Sequence, residues 1–213
     1  MKVLAFDTAL PALSIAVADG ERVLSSCELV SRRSTSSQLF VWIERLLEAA
    51  GIAKEELEVL AVTRGPGSFT GIRVGLSAAK GLAYSLGLKI AAFSTLEIMA
   101  YSVRIEGCLL FPVINAKRGM FYGALFRFRD GVFERLTEDA LFLPEEVKAH
   151  EGRVVFVGDA ASELGLSSVL VRSAASYMPY LVHERREFVD LGSLKPNYLR
   201  PSDAEEKYGI TVD

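Results

Sequence analysis

The chain has 213 residues, enough for one large domain or two small ones that each bury a core. Half of the residues are hydrophobic and the mean hydropathy is +0.27, a first hint of surface that is covered only in a complex. With 24 Lys and Arg against 27 Asp and Glu the net charge is −3, so no overall basic field exists to hold a nucleic-acid backbone unaided.

In chain order, Val3 to Phe6, Leu13 to Ala18 and Arg22 to Val30 read as three strands of an antiparallel meander, with Asp19-Gly20 as a hairpin turn. The opening run meets an acid, Asp7, after four apolar residues, and no later run approaches the ~20 apolar residues of a membrane span. Cytoplasm is the expected location. A polar stretch at 31–37 precedes a helix predicted over Gln38 to Ala50 and stopped by Gly51. Val59 to Thr63 is a strand that runs into Arg64-Gly65-Pro66-Gly67-Ser68-Phe69-Thr70. A second helix follows over Gly71 to Leu86, closed by Gly87, and then a strand over Lys89 to Phe93. Strand and helix alternating from residue 30 onward imply parallel strands joined by crossover helices.

Ser94-Thr95-Leu96-Glu97 has the spacing of a capping box and opens a third helix that ends near Gly107. The domain division is placed here, with an α/β unit over 1–100 and a smaller one over 101–213. In the second unit Leu109 to Asn115, Met120 to Arg129, Val132 to Leu136 and Arg153 to Val157 read as strands, and Asp130-Gly131 as a turn. Residues 174–213 carry ambiguous signals.

The glycine-rich loop at 65–71 is the most conspicuous chemical feature. Gly65, Pro66, Gly67 and Gly71 fix a tight turn at a helix start, where free N–H groups suit an anion. It is not a phosphate-binding loop of the Lys-Ser/Thr kind, because Ile72-Arg73 follows Gly71. The alternative is that the glycines supply unusual backbone angles while Ser68 or Thr70 caps the helix. His150 and His183 stand alone, so no metal site is expected. Ser68 lies outside a Gly-x-Ser-x-Gly pattern and has no histidine near it, so no catalytic residue is assigned. Glu55-Glu56-Leu57-Glu58 and Glu145-Glu146 read as solvated faces, and Cys27 and Cys108 as buried, reduced thiols.

The two helices carry more information. Leu39, Phe40, Trp42, Ile43, Leu46, Leu47, Ala49 and Ala50 spread over about half of the first. In the second, Arg73, Ser77, Lys80 and Tyr84 confine polarity to one strip, so both helices are expected to be covered on two sides. Gly71, Gly75 and Ala79 recur every fourth residue, a spacing that lets another helix approach closely. A partner chain and the chain's own sheet account equally for these apolar faces.

Leu4-Ala5-Phe6-Asp7-Thr8-Ala9, Arg64-Gly65-Pro66-Gly67-Ser68-Phe69-Thr70-Gly71-Ile72-Arg73-Val74-Gly75 and Pro196-Asn197-Tyr198-Leu199-Arg200-Pro201 resemble the TsaB (YeaZ) family in order and spacing over essentially the whole chain. The resemblance implies an ASKHA (actin/hexokinase-like) α/β fold with two unequal lobes and a mixed sheet in the first. It also implies a part in forming threonylcarbamoyladenosine beside the anticodon of tRNAs that read codons starting with A. The subunit would be non-catalytic, pairing through its two helices with a TsaD-like threonylcarbamoyltransferase that a TsaE-like ATPase joins. Leu39, Trp42, Ile43, Leu46, Gly71, Val74, Gly75 and Ala78 are then the expected partner-binding residues. Arg64, Gly65, Pro66, Gly67, Ser68, Thr70 and Arg73 form the glycine-rich loop. A homodimer is expected when the chain is alone, with tRNA reached only through the complex and no membrane contact.

Departures from the family pattern bear on chemistry. Ser34-Thr35-Ser36-Ser37-Gln38-Leu39 stands where many relatives have a His-Ser-Glu sequence at the start of the first helix, and Asn115-Ala116-Lys117 where an Asp-Ala-Arg segment is found, removing an acid that would help position magnesium and phosphate. Asp7 and Thr8 match the first phosphate-loop position of the fold, but Ala9-Leu10-Pro11 brings neither glycine nor a basic group. They are read as a vestigial nucleotide site. No cofactor of the chain's own is expected, and a nucleotide, if held, belongs to the interface of the complex. The rival reading is an independent ASKHA-type ATPase or phosphotransferase using Asp7, Thr8 and the loop. A protease is suggested only by the older glycoprotease label of TsaD-like proteins.

Overall fold

The computed structural model describes residues 1–30, 35–171 and 173–201. Five strands form the first sheet: β1 (Lys2–Asp7), β2 (Leu13–Asp19), β3 (Arg22–Leu29), β4 (Val59–Thr63) and β5 (Lys89–Phe93), in the order β3-β2-β1-β4-β5. The sheet is mixed. Leu4 faces Val17 across the antiparallel pair β1–β2 and Leu60 across the parallel pair β1–β4. β1 and β4 are continuous apolar runs because both faces of the central strands are covered. Helices α1 (Thr35–Ala50) and α2 (Phe69–Leu86) bury Leu39, Ile43, Leu46, Ile72, Leu76 and Ala79 against Leu4, Phe6 and Val62 on one face. Val3, Ala5 and Ala61 point to the other. There they meet Ile98 and Tyr101 of α3 (Thr95–Val103), and Met178, Leu181 and Val182 of α5 (Met178–Arg185).

α1 starts three residues earlier than the sequence suggested, and of the run Ser34 to Leu39 that departs from the family pattern, Ser34 lies outside the described residues. α3 stops at Val103 instead of reaching Gly107. Arg104 takes the left-handed cap position at φ 38°, and its guanidinium lies over the Tyr101 ring at 4.4 Å. Only half of the expected capping box forms. Ser94 Oγ accepts from Glu97 N–H at 3.4 Å, whereas the Glu97 carboxylate accepts from Arg185 at 2.8 Å. α3 is covered on both sides, since Leu96, Met99 and Ala100 pack into the core of the second sheet.

That sheet runs β10 (Ala140–Phe142), β7 (Met120–Gly123), β6 (Cys108–Lys117), β11 (Val155–Val157), β12 (Ser168–Val169), with β8 (Phe126–Arg129) on β6 and β9 (Val132–Arg135) on β8. α4 (Pro144–Lys148) packs its one buried residue, Val147, into the cluster around Phe111. The single strand expected over Met120 to Arg129 is broken at Ala124-Leu125. Register is unchanged across the break, since Val113 faces Gly123 and Leu110 faces Phe126, but Pro112 in β6 has no N–H for the ladder. Leu125 turns its hydrogen bonding to the 136–137 segment, donating to Thr137 Oγ1 at 2.8 Å and accepting from Leu136 N–H at 2.8 Å. Cys27 and Cys108 are free and half-buried, and burial pushes the Cys27 thiol up. Glu55, Glu56, Glu58, Glu145 and Glu146 are exposed. Among the described residues no helix is long and apolar enough to cross a membrane.

Candidate docking face and interlobe cleft

The glycine-rich loop is built around the end of β1. Ser68 caps α2, its Oγ accepting from Gly71 N–H at 3.2 Å, and the Ser68 N–H donates to the Ala9 carbonyl at 2.8 Å. Thr8 Oγ1 donates to the Gly71 carbonyl at 2.7 Å. A Cβ at Gly71 would stand 1.9 Å from the Thr8 carbonyl oxygen, and one at Gly75 2.2 Å from Thr8 Oγ1. Gly71 and Gly75 therefore admit the chain's own loop, where the sequence left a partner helix and the chain's own sheet equally open. The glycines are small because Thr8 sits on them.

Asp7 is fully buried. Its Oδ1 accepts from the Ala9 N–H at 3.2 Å and from the Thr63 hydroxyl, and its Oδ2 from the Leu10 N–H at 3.2 Å. Burial pushes this carboxyl above the usual carboxylate range, while the Thr63 hydroxyl and the two N–H groups pull it back. Asp7 and Thr8 fasten the loop from behind, and neither lines the cleft in front of it.

That cleft, about 460 Å³, opens between Ala9–Pro11, the start of α2, the end of β6 and the 3-10 turn Asp159–Leu164. Asn115 lines it with both amide atoms engaged, Nδ2 donating to Glu163 Oε2 at 2.5 Å and Oδ1 accepting from Lys117 N–H at 2.7 Å. A nucleotide with magnesium, the group this fold implies, needs carboxylates facing its phosphates. Asp7 is turned inward and Asn115 is neutral, and of the two carboxylates that line the cleft, Asp159 and Glu163, the second already accepts from Asn115. Among the described residues no three His, Cys, Asp or Glu side chains are grouped to hold a metal.

The segment Asn197–Pro201 lies across the same cleft as a strap. Asn197 N–H donates to the Arg64 carbonyl at 2.7 Å, Arg200 Nη1 to the Ala116 carbonyl at 3.1 Å, and Tyr198 stacks on Phe69 with centroids 4.6 Å apart. One carboxylate pins it. Asp139, with a side chain only 6% exposed, accepts from Ser94 Oγ at 2.6 Å, Asn197 Nδ2 at 2.8 Å and Arg135 Nη1 at 2.7 Å. Asp139→Ala should therefore lower the unfolding free energy by about 2 kcal/mol, since it strands the Ser94 hydroxyl and the Asn197 amide and removes the Arg135 ion pair. A urea midpoint equal to that of the parent chain would remove the pin.

The expected docking residues divide into two groups. Leu39, Ile43, Leu46, Gly71, Gly75 and Ala78 are buried within the chain, whereas Trp42 and Val74 are half-buried at the surface. Each helix is thus covered by the chain on one face, not two. Two further outward side chains were missed by sequence reasoning: Phe40 is 51% exposed and Tyr84 81%. Phe40, Arg73, Val74, Ser77 and Ala78 line an open groove between α1 and α2. Phe40 could have been recognised, because Leu39, Ile43, Leu46 and Leu47 already complete an inward stripe that excludes it.

Comparison with known proteins places this geometry among relatives. The family model for TsaD, tRNA N6-adenosine threonylcarbamoyltransferase, matches residues 28–156. The chain is 30% identical to the tRNA threonylcarbamoyladenosine biosynthesis protein TsaB of Bacillus subtilis strain 168, over 98% of each chain. It is 32% identical to the protein of the same description from Escherichia coli K12, over 97% of this chain and 98% of that one. Among solved structures, YeaZ from Pseudomonas aeruginosa superposes with a TM-score of 0.79 at 25% identity, covering 93% of this chain and 99% of that chain. The fold is the ASKHA type, with a mixed sheet in the first lobe.

Proposed function

This chain belongs to the TsaB family of tRNA threonylcarbamoyladenosine biosynthesis proteins, and we propose that it serves there as a non-catalytic subunit that binds and activates a TsaD-like threonylcarbamoyltransferase. The observation that carries the reading is the outward surface of α1 and α2. Phe40, Val74 and Tyr84 stand outside a core that Leu39, Ile43 and Leu76 already complete, Trp42 packs at its edge, and the groove beside Phe40 is open. Exposed aromatic and aliphatic side chains around a groove suit a protein partner, because their burial there is worth about 25 cal/mol per Å² before the costs of association. The same surface accounts for self-pairing of the chain when the partner is absent.

In this role the chain performs no chemistry on the threonylcarbamoyl group. The TsaD-like subunit supplies the transfer, a TsaE-like ATPase joins the pair, tRNA is reached through the complex, and any nucleotide belongs at the contact between subunits. What this chain contributes is a rigid surface, because α2 is fastened at its start by Thr8, Ser68 and the strap. The test is threonylcarbamoylation of tRNA by the TsaD-like and TsaE-like subunits with ATP and the threonylcarbamoyl donor system, with and without this chain. Transfer that depends on the chain is the expected result. Equal transfer without it would overturn the reading, and magnesium-dependent nucleotide turnover by the chain alone, lost in Asp7→Ala, would favour an independent ATPase.

A further inference from the structure

Arg73 lies at the edge of the groove between α1 and α2, and its guanidinium is held from two sides. Its Nε donates to Tyr198 Oη at 3.0 Å, and its planar group lies over the Phe69 ring at 4.1 Å. Phe69 and Tyr198 are themselves stacked, so the three side chains form one contiguous cluster. The chain is tied on either side of Tyr198, at Asn197 to Arg64 and Asp139 and at Arg200 to Ala116, which limits where its ring can go. A surface arginine ordinarily keeps its rotamer freedom and loses it on binding, at about 0.5 to 1.5 kcal/mol per side chain. Here that ordering is already done inside the subunit.

The clamp uses Nε and one face of the guanidinium, so the two terminal nitrogens remain to donate. Among the described residues no carboxylate answers this charge, since the contacts of Arg73 are with Tyr198 and Phe69. The first turn of α2 likewise carries no acidic side chain. A pre-ordered, unanswered guanidinium next to the apolar Phe40, Val74 and Ala78 is suited to a carboxylate projecting from an otherwise apolar protein surface. A phosphate backbone would leave those apolar walls uncovered.

We propose that Arg73, set by Tyr198 and Phe69, is the ionic anchor of the docking face and receives an Asp or Glu side chain of the partner subunit. This deepens the docking reading and rests on it. It also gives the carboxy-terminal strap a task beyond covering the cleft, since Tyr198 fixes the orientation in which Arg73 meets its acid.

The test is titration of the purified TsaD-like subunit with this chain and its variants, at about 50 mM and about 500 mM NaCl. Arg73→Ala should weaken binding about 30-fold or more at low salt, by the scale on which truncating one partner of a desolvated ion pair is felt. The gap to the parent chain should shrink at high salt. Arg73→Lys keeps the charge but cannot present the planar fork, and should recover only part of the loss. Tyr198→Phe keeps the stacking, removes the acceptor that holds Nε, and should weaken binding about three- to tenfold. Charge reversal, Arg73→Glu, should be rescued by an Asp→Lys or Glu→Lys change on the partner. Binding by Arg73→Ala within twofold of the parent, or a loss equal at both salt concentrations, overturns the anchor while leaving docking intact. No binding by the parent chain overturns docking itself. Binding of tRNA by the isolated chain that vanishes in Arg73→Ala overturns the carboxylate in favour of phosphate.

Discussion

Gly71→Ala is expected to lower the unfolding free energy by about 3 kcal/mol or more, although it adds one methyl group to a helix that would otherwise gain from alanine. The added Cβ would lie 1.9 Å from the Thr8 carbonyl oxygen, a backbone atom that cannot rotate aside. Thr8 is held in place by its own hydroxyl on the Gly71 carbonyl and by the Asp7 network next to it. Either α2 withdraws from β1 or the 7–9 segment shifts, and both break several buried hydrogen bonds. Gly81 on the same helix is the control: a Cβ there meets nothing within 4 Å, so Gly81→Ala should stabilise by about 0.5 to 1 kcal/mol. Opposite displacements of the two urea midpoints are expected, and equal midpoints would remove the close approach of Thr8 as the reason for Gly71. A domain is stable by only about 5 to 15 kcal/mol, so a bulkier change at Gly71 or at Gly75 would remove the fold before it could report on docking.

Local runs were legible in the sequence. β4 and β5 appear over Val59–Thr63 and Lys89–Phe93 as expected, because each is a short apolar run bounded by polar residues or glycine. Gly87 closes α2 in the left-handed conformation, as its place after the last apolar residue suggested. What was not legible depends on partners distant in the chain. The glycine stripe leaves a partner helix and the chain's own sheet equally open, and a loop contact unsuspected, until Thr8, 63 residues away, is seen hydrogen-bonded to Gly71. The strand over Met120 to Arg129 looks continuous until Pro112 is placed opposite its middle. Asp139 gives no sign in the sequence that it gathers Ser94, Arg135 and Asn197. The family motifs marked the loop, yet which helix residues face outward required the burial of Leu39, Ile43 and Leu46 to be known.

Phe40→Gln together with Val74→Gln should abolish activation of the TsaD-like subunit without unfolding this chain. Phe40 is half exposed and Val74 only partly buried, and glutamine is a better helix former than either, so the unfolding midpoint should move little. In the complex the same two positions would place amides where an apolar contact is required. Each lost anchor of that kind costs about 2 kcal/mol or more, and the unpaired amides add a desolvation penalty. Together they amount to roughly a 1,000-fold loss of affinity. At subunit concentrations near the dissociation constant of the parent pair, tRNA threonylcarbamoylation should then fall to the level seen without this chain, and raising the concentration of the variant should restore it in proportion. Full activity of the folded double variant at those concentrations would take the docking surface away from α1 and α2. Loss that no concentration reverses would mean instead that the face acts after binding, by altering the transferase it touches.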